Sequence, residues 1–537
     1  MKKISFSAPF QLMLLIALIT GCKSDSLKKY EPTWESLKEV PIPQWFEDAK
    51  FGIMIHWGPY SVLAEIPEAS KGNYAEHLPS DLYRGKGYDA LLLERFGAIP
   101  PEFGYKDMIP MFTGEKFNAE IWLDLFEKAG AKYIIPVAEH HDGFAMWDSK
   151  LTTWDAKDKG PKKDIIGELA IATRKKGLKF APSIHRERHN TYYSMVKNKG
   201  GGPLPVISEE IKRVPEAASL YGPFVMNDEY MIDFLARWEE ICEKYQPDFY
   251  WLDDYPDYEE ATRSIFMKYQ RKLIADYINR ANMEWGKEVY FNNKGKNNNY
   301  PDGVGIREYD NMQTEDYTVK WQNPATLGTS YGYRKIEELQ KGWLKPPREL
   351  IHLLVEVVSK NGNLLMNVGP RPDGTIPQVQ KESLLAIGDW LNVNGDAIYG
   401  TRVWKTVGEN RMRFTAKEDK LYAILLEWPK EGSMVIKSLN SWESKNIRSI
   451  RFLGDQQVDY EFTQEGLKID LPNEPIGSHA YVLEISCNQN VQDLPFTKFE
   501  IITADLHLKH KTRIMGLKKA FEEASSTDYQ IEVQAKH

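Results

Sequence analysis

From about residue 40 to 400 the apolar positions follow two alternating periods. Short, nearly continuous apolar runs predict buried strands over Phe51–Trp57, Lys132–His140, Leu178–His185, Phe249–Asp254, Val289–Asn292 and Leu364–Val368. Between them, Phe117–Ala129, Asp164–Lys176, Met226–Tyr245, Glu260–Met283, Leu350–Lys360 and Lys381–Asn392 carry apolar residues at helical spacing. Strands alternating with helices predict a parallel sheet, most simply an α/β fold built as a (β/α)8-like barrel. The stretch from Asn293 to Tyr333 is rich in loop residues and poor in helix, so the barrel is expected to be irregular there, or its mouth covered by long loops. After about residue 403 the pattern breaks into short strand-like runs, Phe414–Lys417, Leu421–Leu426, Ile447–Leu453 and Ala480–Ile485, separated by Gly, Asn, Asp and Pro. That predicts a C-terminal antiparallel β-sandwich over residues 403–488. The extension 489–537 mixes a strand-like run, Phe499–Ile502, with a helical run, Ile514–Glu523, and gains no role from its pattern.

The N-terminus has a different character. Lys2 and Lys3 precede an apolar stretch, Phe10–Ile19, and then Thr20-Gly21-Cys22. An apolar stretch this short is a signal peptide rather than a membrane span. Leu18-Ile19-Thr20-Gly21-Cys22 resembles a bacterial lipobox, which implies removal of residues 1–21, lipidation of Cys22, and a tether over 22–39 that leads into a catalytic unit at 40–402. The expected location is the bacterial cell envelope, periplasmic or outer-membrane associated, with the membrane reached only through the lipid anchor. Cys242 and Cys487 then remain as free thiols, too few for a disulfide framework. A net charge of -8 without a basic face argues against nucleic acid as a partner. The 15 Trp among 537 residues suit pockets that hold apolar sugar faces.

The predicted strands end in polar residues. His56 closes the first, Glu139-His140-His141-Asp142 the second, and His185-Arg186-Glu187-Arg188-His189 follows the third. Asp253 and Asp254 close the fourth, and Asn292 and Asn293 the fifth. In a barrel of this kind the C-terminal strand ends carry the chemistry. Two readings follow. Imidazoles, amides and acids can fix sugar hydroxyls, with Trp as an apolar wall and two carboxylates as the cleaving groups. Alternatively Glu139, His140, His141 and the His185-x-Glu187-x-His189 spacing offer ligands to Zn or another transition metal.

Several blocks resemble one family, glycoside hydrolase family 29, the α-L-fucosidases. They are Lys50-Phe51-Gly52-Ile53-Met54-Ile55-His56-Trp57-Gly58, then Ala129-Gly130-Ala131-Lys132-Tyr133 with His140-His141-Asp142-Gly143-Phe144, and Tyr245-Gln246-Pro247-Asp248 leading to Trp251-Leu252-Asp253. Val358 to Pro370 and Ile387-Gly388-Asp389-Trp390-Leu391 through Gly400 complete the set, so the resemblance spans about residues 40–405. It implies a retaining exo-α-L-fucosidase acting on a fucosylated oligosaccharide or glycoconjugate, with Asp253 as nucleophile. Glu315, in Thr314-Glu315-Asp316-Tyr317, is the implied acid/base, with Glu308 as second choice. Sugar-binding positions map onto His56, Glu76, His140, His141 and Trp251. The histidines then serve a sugar, and neither a metal nor another cofactor is expected. Three departures stand out: His77 where the family usually has Trp, Ser183 and Ile184 where Tyr is common, and Lys294 near a frequent Arg. A Lys point charge does not replace an Arg fork. These departures motivate a preference for a fucose-like sugar such as L-galactose, with His77 or His185 meeting its extra hydroxyl. A non-catalytic sugar-binding lipoprotein and a metal-dependent barrel hydrolase are the competing classes.

Overall fold

The computed structural model describes residues 28–70, 74–195, 201–253, 259–294, 300–309, 317–454 and 456–496. The signal segment, Cys22, Asp254, Glu315 and the two runs at 499–502 and 514–523 lie outside the described residues.

The parallel strands close into a barrel: β1 (Phe51–Ile55), β2 (Tyr133–Glu139), β3 in two pieces (Lys179–Phe180 and Ser183–Ile184), β4 (Phe249–Leu252), β5 (Tyr290–Asn293), β6 (Ile306–Glu308), β7 (Trp321–Thr326) and β8 (Gly362–Val368). β1 pairs in parallel with β2 on one side and with β8 on the other, which completes the ring. All seven residues of β2 and of β8 are buried, because one face fills the barrel and the other lies under helices. Gly52 on β1 makes room for a larger neighbour, since a Cβ there would collide with the Tyr133 ring. The floor is plugged by Phe46 from α1 (Gln44–Ala49), whose ring stacks on Phe249 at 5.1 Å.

Five helices match the predicted ones closely: α2 (Ala119–Lys128), α3 (Ile165–Lys175), α4 (Asp228–Tyr245), α6 (Pro347–Ser359) and α7 (Gln378–Asn394). Asn118, Asp164 and Asn227 cap the first three, each side chain accepting a backbone N–H of the opening turn. The sixth predicted helix, α5, is regular over Glu260–Arg280 and ends in a π-turn, Ala281–Trp285.

Two corrections to the sequence reading concern strands. The expected run Leu178–His185 is split at Ala181-Pro182, because proline brings no N–H to the ladder. The loop-rich stretch 293–333 contains β6 and β7, and among the described residues no helix follows β5 or β6. β7 reads Trp-Gln-Asn-Pro-Ala-Thr, and all six residues are buried. Polar residues and a proline hid a barrel stave, because its inner face meets a polar interior.

The C-terminal part is a six-stranded antiparallel sheet facing a three-stranded one. Phe414, Leu421, Leu483 and Ile485 pack between them with Ile436, Leu467 and Ile469. The other face of the larger sheet joins the barrel core through Tyr422, Ile424 and Val482. Arg413 of the sheet and Glu356 of α6 form an ion pair of 2.6 Å, both side chains at most 1% exposed. Trp390 of α7 donates its indole N–H to Ala480 O at 2.8 Å. The sheet therefore braces the barrel. Among the described residues no helix is long and apolar enough to cross a membrane.

The Arg413–Glu356 pair yields a stability prediction. Glu356→Ala removes the buried carboxylate that both Arg413 and Lys360 face and should cost about 3–5 kcal/mol, read as a lower urea midpoint. Glu356→Leu combined with Arg413→Met should recover most of that loss.

Candidate active site

The strand ends converge on one cavity of about 220 Å³ at the C-terminal mouth, walled by His56, Glu76, His77, His140, His185, Trp251, Asp253 and Lys294. Each arrives from its own element. His56 follows β1, His140 and His141 follow β2, His185 follows β3, Asp253 follows β4 and Lys294 follows β5. Glu76 and His77 sit on a turn in the long β1–α2 connection. Asn292 of β5 holds the end of β4 by two 2.8 Å bonds, accepting from Leu252 N–H and donating to Leu252 O. Asp253 thus emerges from a clamped strand.

Asp253 is only 19% exposed and lies among donors. Its Oδ1 contacts Lys294 Nζ, and its Oδ2 lies 3.3 Å from His141 Nε2 and 3.7 Å from His185 Nδ1. Burial pushes the carboxyl pKa up, but the Lys294 ammonium and the two imidazoles outweigh it and hold it well below the usual carboxylate range. Asp253 is therefore an ionised carboxylate in a sheltered pocket, as a nucleophile requires.

Trp251 is 1% exposed and forms the floor. Its ring lies 5.0 Å from the His185 ring and 5.1 Å from Lys294 Nζ, and its indole N–H donates to Glu308 Oε1 at 2.6 Å. Glu308 Oε2 is 3.8 Å from Lys294 Nζ, so Asp253 and Glu308 flank one ammonium. Two carboxylates that face a single cation are close neighbours.

The imidazoles are neutral binding groups. Burial lowers the His56 pKa to about 4 and pulls His140 and His185 well below their usual value. His56 Nδ1 bonds Asn367 Oδ1 at 2.7 Å, and Asn367 Nδ2 donates to Tyr331 O at 2.7 Å. The second bond fixes which end of the amide faces His56, so Nδ1 carries the proton and Nε2 is left as a lone pair. His141 differs, because Nδ1 faces His185 O at 2.5 Å while Nε2 faces Asp253. Two acceptors favour its protonated form, and burial opposes that charge, pulling its pKa down. Burial raises Glu76 to about 7, where Gly332 N–H and Ser330 Oγ hold its Oε2 at 2.7 and 3.3 Å.

Among the metal ligands weighed from sequence, Glu139 is bound by Arg186 at 2.5 Å and Arg237 at 3.2 Å, and it does not line the cavity. Both ring nitrogens of His189 face backbone carbonyls, His141 O at 2.8 Å and Gly222 O at 3.0 Å. The His185-x-Glu187-x-His189 spacing thus builds no ligand set, because its members point apart. His56, His140 and His185 do bring ring nitrogens together, as do His141 and His185 with Asp253. Residues missed by sequence reasoning are Tyr74, Arg188, Pro324 and Tyr331, which also line the cavity, and Asn367, which orients His56. Asn367 stands at the end of an apolar strand, the same signal that marked His56. Tyr74 and Tyr331 come from loops that meet only in the fold, their rings 5.3 Å apart.

A closed parallel barrel with a sugar-sized, histidine-walled cavity and paired acids at its C-terminal mouth defines the class of barrel glycoside hydrolases. Residues 17–396 match the family "Alpha-L-fucosidase" and residues 405–486 the "Alpha-L-fucosidase C-terminal domain", and the chain belongs to this family. Tissue alpha-L-fucosidase of Rattus norvegicus is 31% identical over 489 residues, covering 87% of this chain and 94% of the relative. The crystal structure of Thermotoga maritima alpha-fucosidase is 32% identical with a TM-score of 0.68, covering 85% of this chain and 100% of that one. Alpha-L-fucosidase isoenzyme 1 from Paenibacillus thiaminolyticus is 25% identical with a TM-score of 0.62, covering 83% and 98%. The chain is a glycoside hydrolase.

The Lys294–Asp253 contact predicts a pH effect. If activity requires the ionised form of Asp253, it falls on the acid side as that carboxyl is protonated. Lys294→Met removes the main charge that depresses its pKa, and the acid limb of kcat/KM against pH should move upward by about 1–3 units. An unmoved limb would mean that it does not report an Asp253 carboxylate held by Lys294.

Proposed function

We propose that the protein is a retaining exo-α-L-fucosidase that releases terminal α-L-fucosyl groups from fucosylated oligosaccharides or glycoconjugates. The observation that carries this reading is the ionised Asp253 at the floor of a cavity with room for one sugar unit. Solved relatives at 32% identity include the Thermotoga maritima enzyme in complex with fucose and with a mechanism based inhibitor. Asp253 attacks the anomeric carbon as the glycosidic bond breaks, and a glycosyl ester forms. An acid protonates the departing oxygen, then as a base takes a proton from the water that cleaves the ester.

Glu308 is the acid/base we favour among the described residues. It shares Lys294 with Asp253, which suits the separation of about 5–5.5 Å used in retention. Glu315 is the other candidate. His56, Glu76, His140 and His141 hold ring hydroxyls, and Trp251 supports the apolar face. The Nδ1 of His185, without a hydrogen-bond partner among the described residues, together with His77 in the wall, keeps an L-galactoside as the alternative substrate. Family membership favours an enzyme over a non-catalytic sugar-binding lipoprotein. We further propose that Cys22 carries lipid and tethers the enzyme to the cell envelope; palmitate labelling should disappear in Cys22→Ser.

Turnover of an aryl α-L-fucoside is the direct assay, with the matching L-galactoside as comparison. Asp253→Ala should abolish turnover, and azide should restore Asp253→Gly with a glycosyl azide as product. For the acid, Glu308→Ala should lose about 10²–10⁴-fold on natural glycans and far less on activated aryl fucosides. If Glu315→Ala shows that split and Glu308→Ala does not, the assignment passes to Glu315.

A further inference from the structure

The three imidazoles at the head of the cavity form an arrangement that sugar binding alone does not require. One ring nitrogen from each of His56, His140 and His185 lies within 4.8 Å of the others. Their ring centroids are 5.8, 5.5 and 5.0 Å apart in the three pairs. His140 is 4% and His185 1% exposed, and the Nδ1 of each is buried without a hydrogen-bond partner among the described residues. His56 already has the support that metal-bound histidines use: its Nδ1 proton goes to Asn367 Oδ1, leaving Nε2 to face a ligand.

We propose that His56, His140 and His185 bind a divalent ion of the Zn²⁺ or Cu²⁺ type, and that this ion inhibits the enzyme by occupying the sugar's place. Three neutral imidazoles select such ions over Mg²⁺ or Ca²⁺, which require oxygen ligands. Zn–N bonds of about 2.0–2.1 Å call for a small inward rotation of rings that surround an open cavity. The fourth position is left to water, since Asp253 Oδ2, 3.7 Å from His185 Nδ1, groups with His141 and His185 rather than with His56 and His140. The Lys294 charge opposes the incoming ion, so binding is reversible rather than structural. The ion and a bound sugar exclude each other, which rests on the reading of this cavity as the fucosyl subsite.

Co²⁺ added to the untagged full-length protein tests this by a readout independent of turnover. One Co²⁺ per chain should give the intense visible bands of a four-coordinate site, erased by Zn²⁺ and absent from His140→Phe and His56→Phe. With an aryl fucoside, Zn²⁺ should raise KM, twofold at its inhibition constant, without changing kcat, and a chelator should reverse it. Only weak six-coordinate bands, or bands that persist in both variants, would overturn the proposal. If the variants do not fold, competition on the wild-type protein decides, since L-fucose should erase the bands. Four-coordinate bands that vanish in the folded variants but persist under saturating fucose would support the metal site and overturn the fucosyl reading of the cavity.

Discussion

The site depends on the contact between Lys294 and Asp253. Placing a carboxylate in a largely closed cavity takes it out of water, and the effective penalty for an unpaired buried ion is several kcal/mol. Lys294 offsets that penalty on one oxygen, and His141 and His185 approach the other. The same ammonium approaches Glu308, which in turn receives the Trp251 N–H. One cation thus ties together the nucleophile candidate, the second carboxylate and the aromatic floor. These groups come from β4, β5 and β6, so the geometry exists only once the barrel has closed.

The closed barrel is held from outside as well as from within. α1 plugs the floor with Phe46, and the C-terminal sheet lends Tyr422, Ile424 and Val482 to the barrel core. A buried ion pair between Arg413 and Glu356 adds direction to that apolar contact. Such bracing matters here because no helix follows β5 or β6 among the described residues. These are the staves that carry Lys294 and Glu308 at their ends.

Beside the Lys294–Asp253 pair, the cavity wall carries buried imidazoles in a low-dielectric setting. Burial keeps the imidazoles neutral, and neutral imidazoles suit hydroxyl groups because each ring offers one donor and one acceptor. The same neutrality gives them lone pairs that a borderline-soft cation can use. The proposed sugar site and the proposed metal site thus draw on one local composition.

Much of the barrel was legible because buried parallel strands are apolar on both faces. β1, β2, β4 and β8 announced themselves in that way, as did the polar residue at each C-terminal end. His56, His140, His185 and Asp253 could therefore be placed on one rim from sequence alone. β6 and β7 were not legible. Glu308, Gln322 and Asn323 are polar because they face a polar interior or a loop rather than water. Local pattern cannot distinguish a polar residue pointed into a barrel from one in a loop. The roles at the site divide in the same way. Sequence determined which residue types stand at the strand ends. Only the tertiary structure decided that Lys294 sits on Asp253, that Glu308 accepts the Trp251 N–H, and that His189 turns away. Those outcomes depend on distances between staves far apart in the chain, which no local spacing encodes.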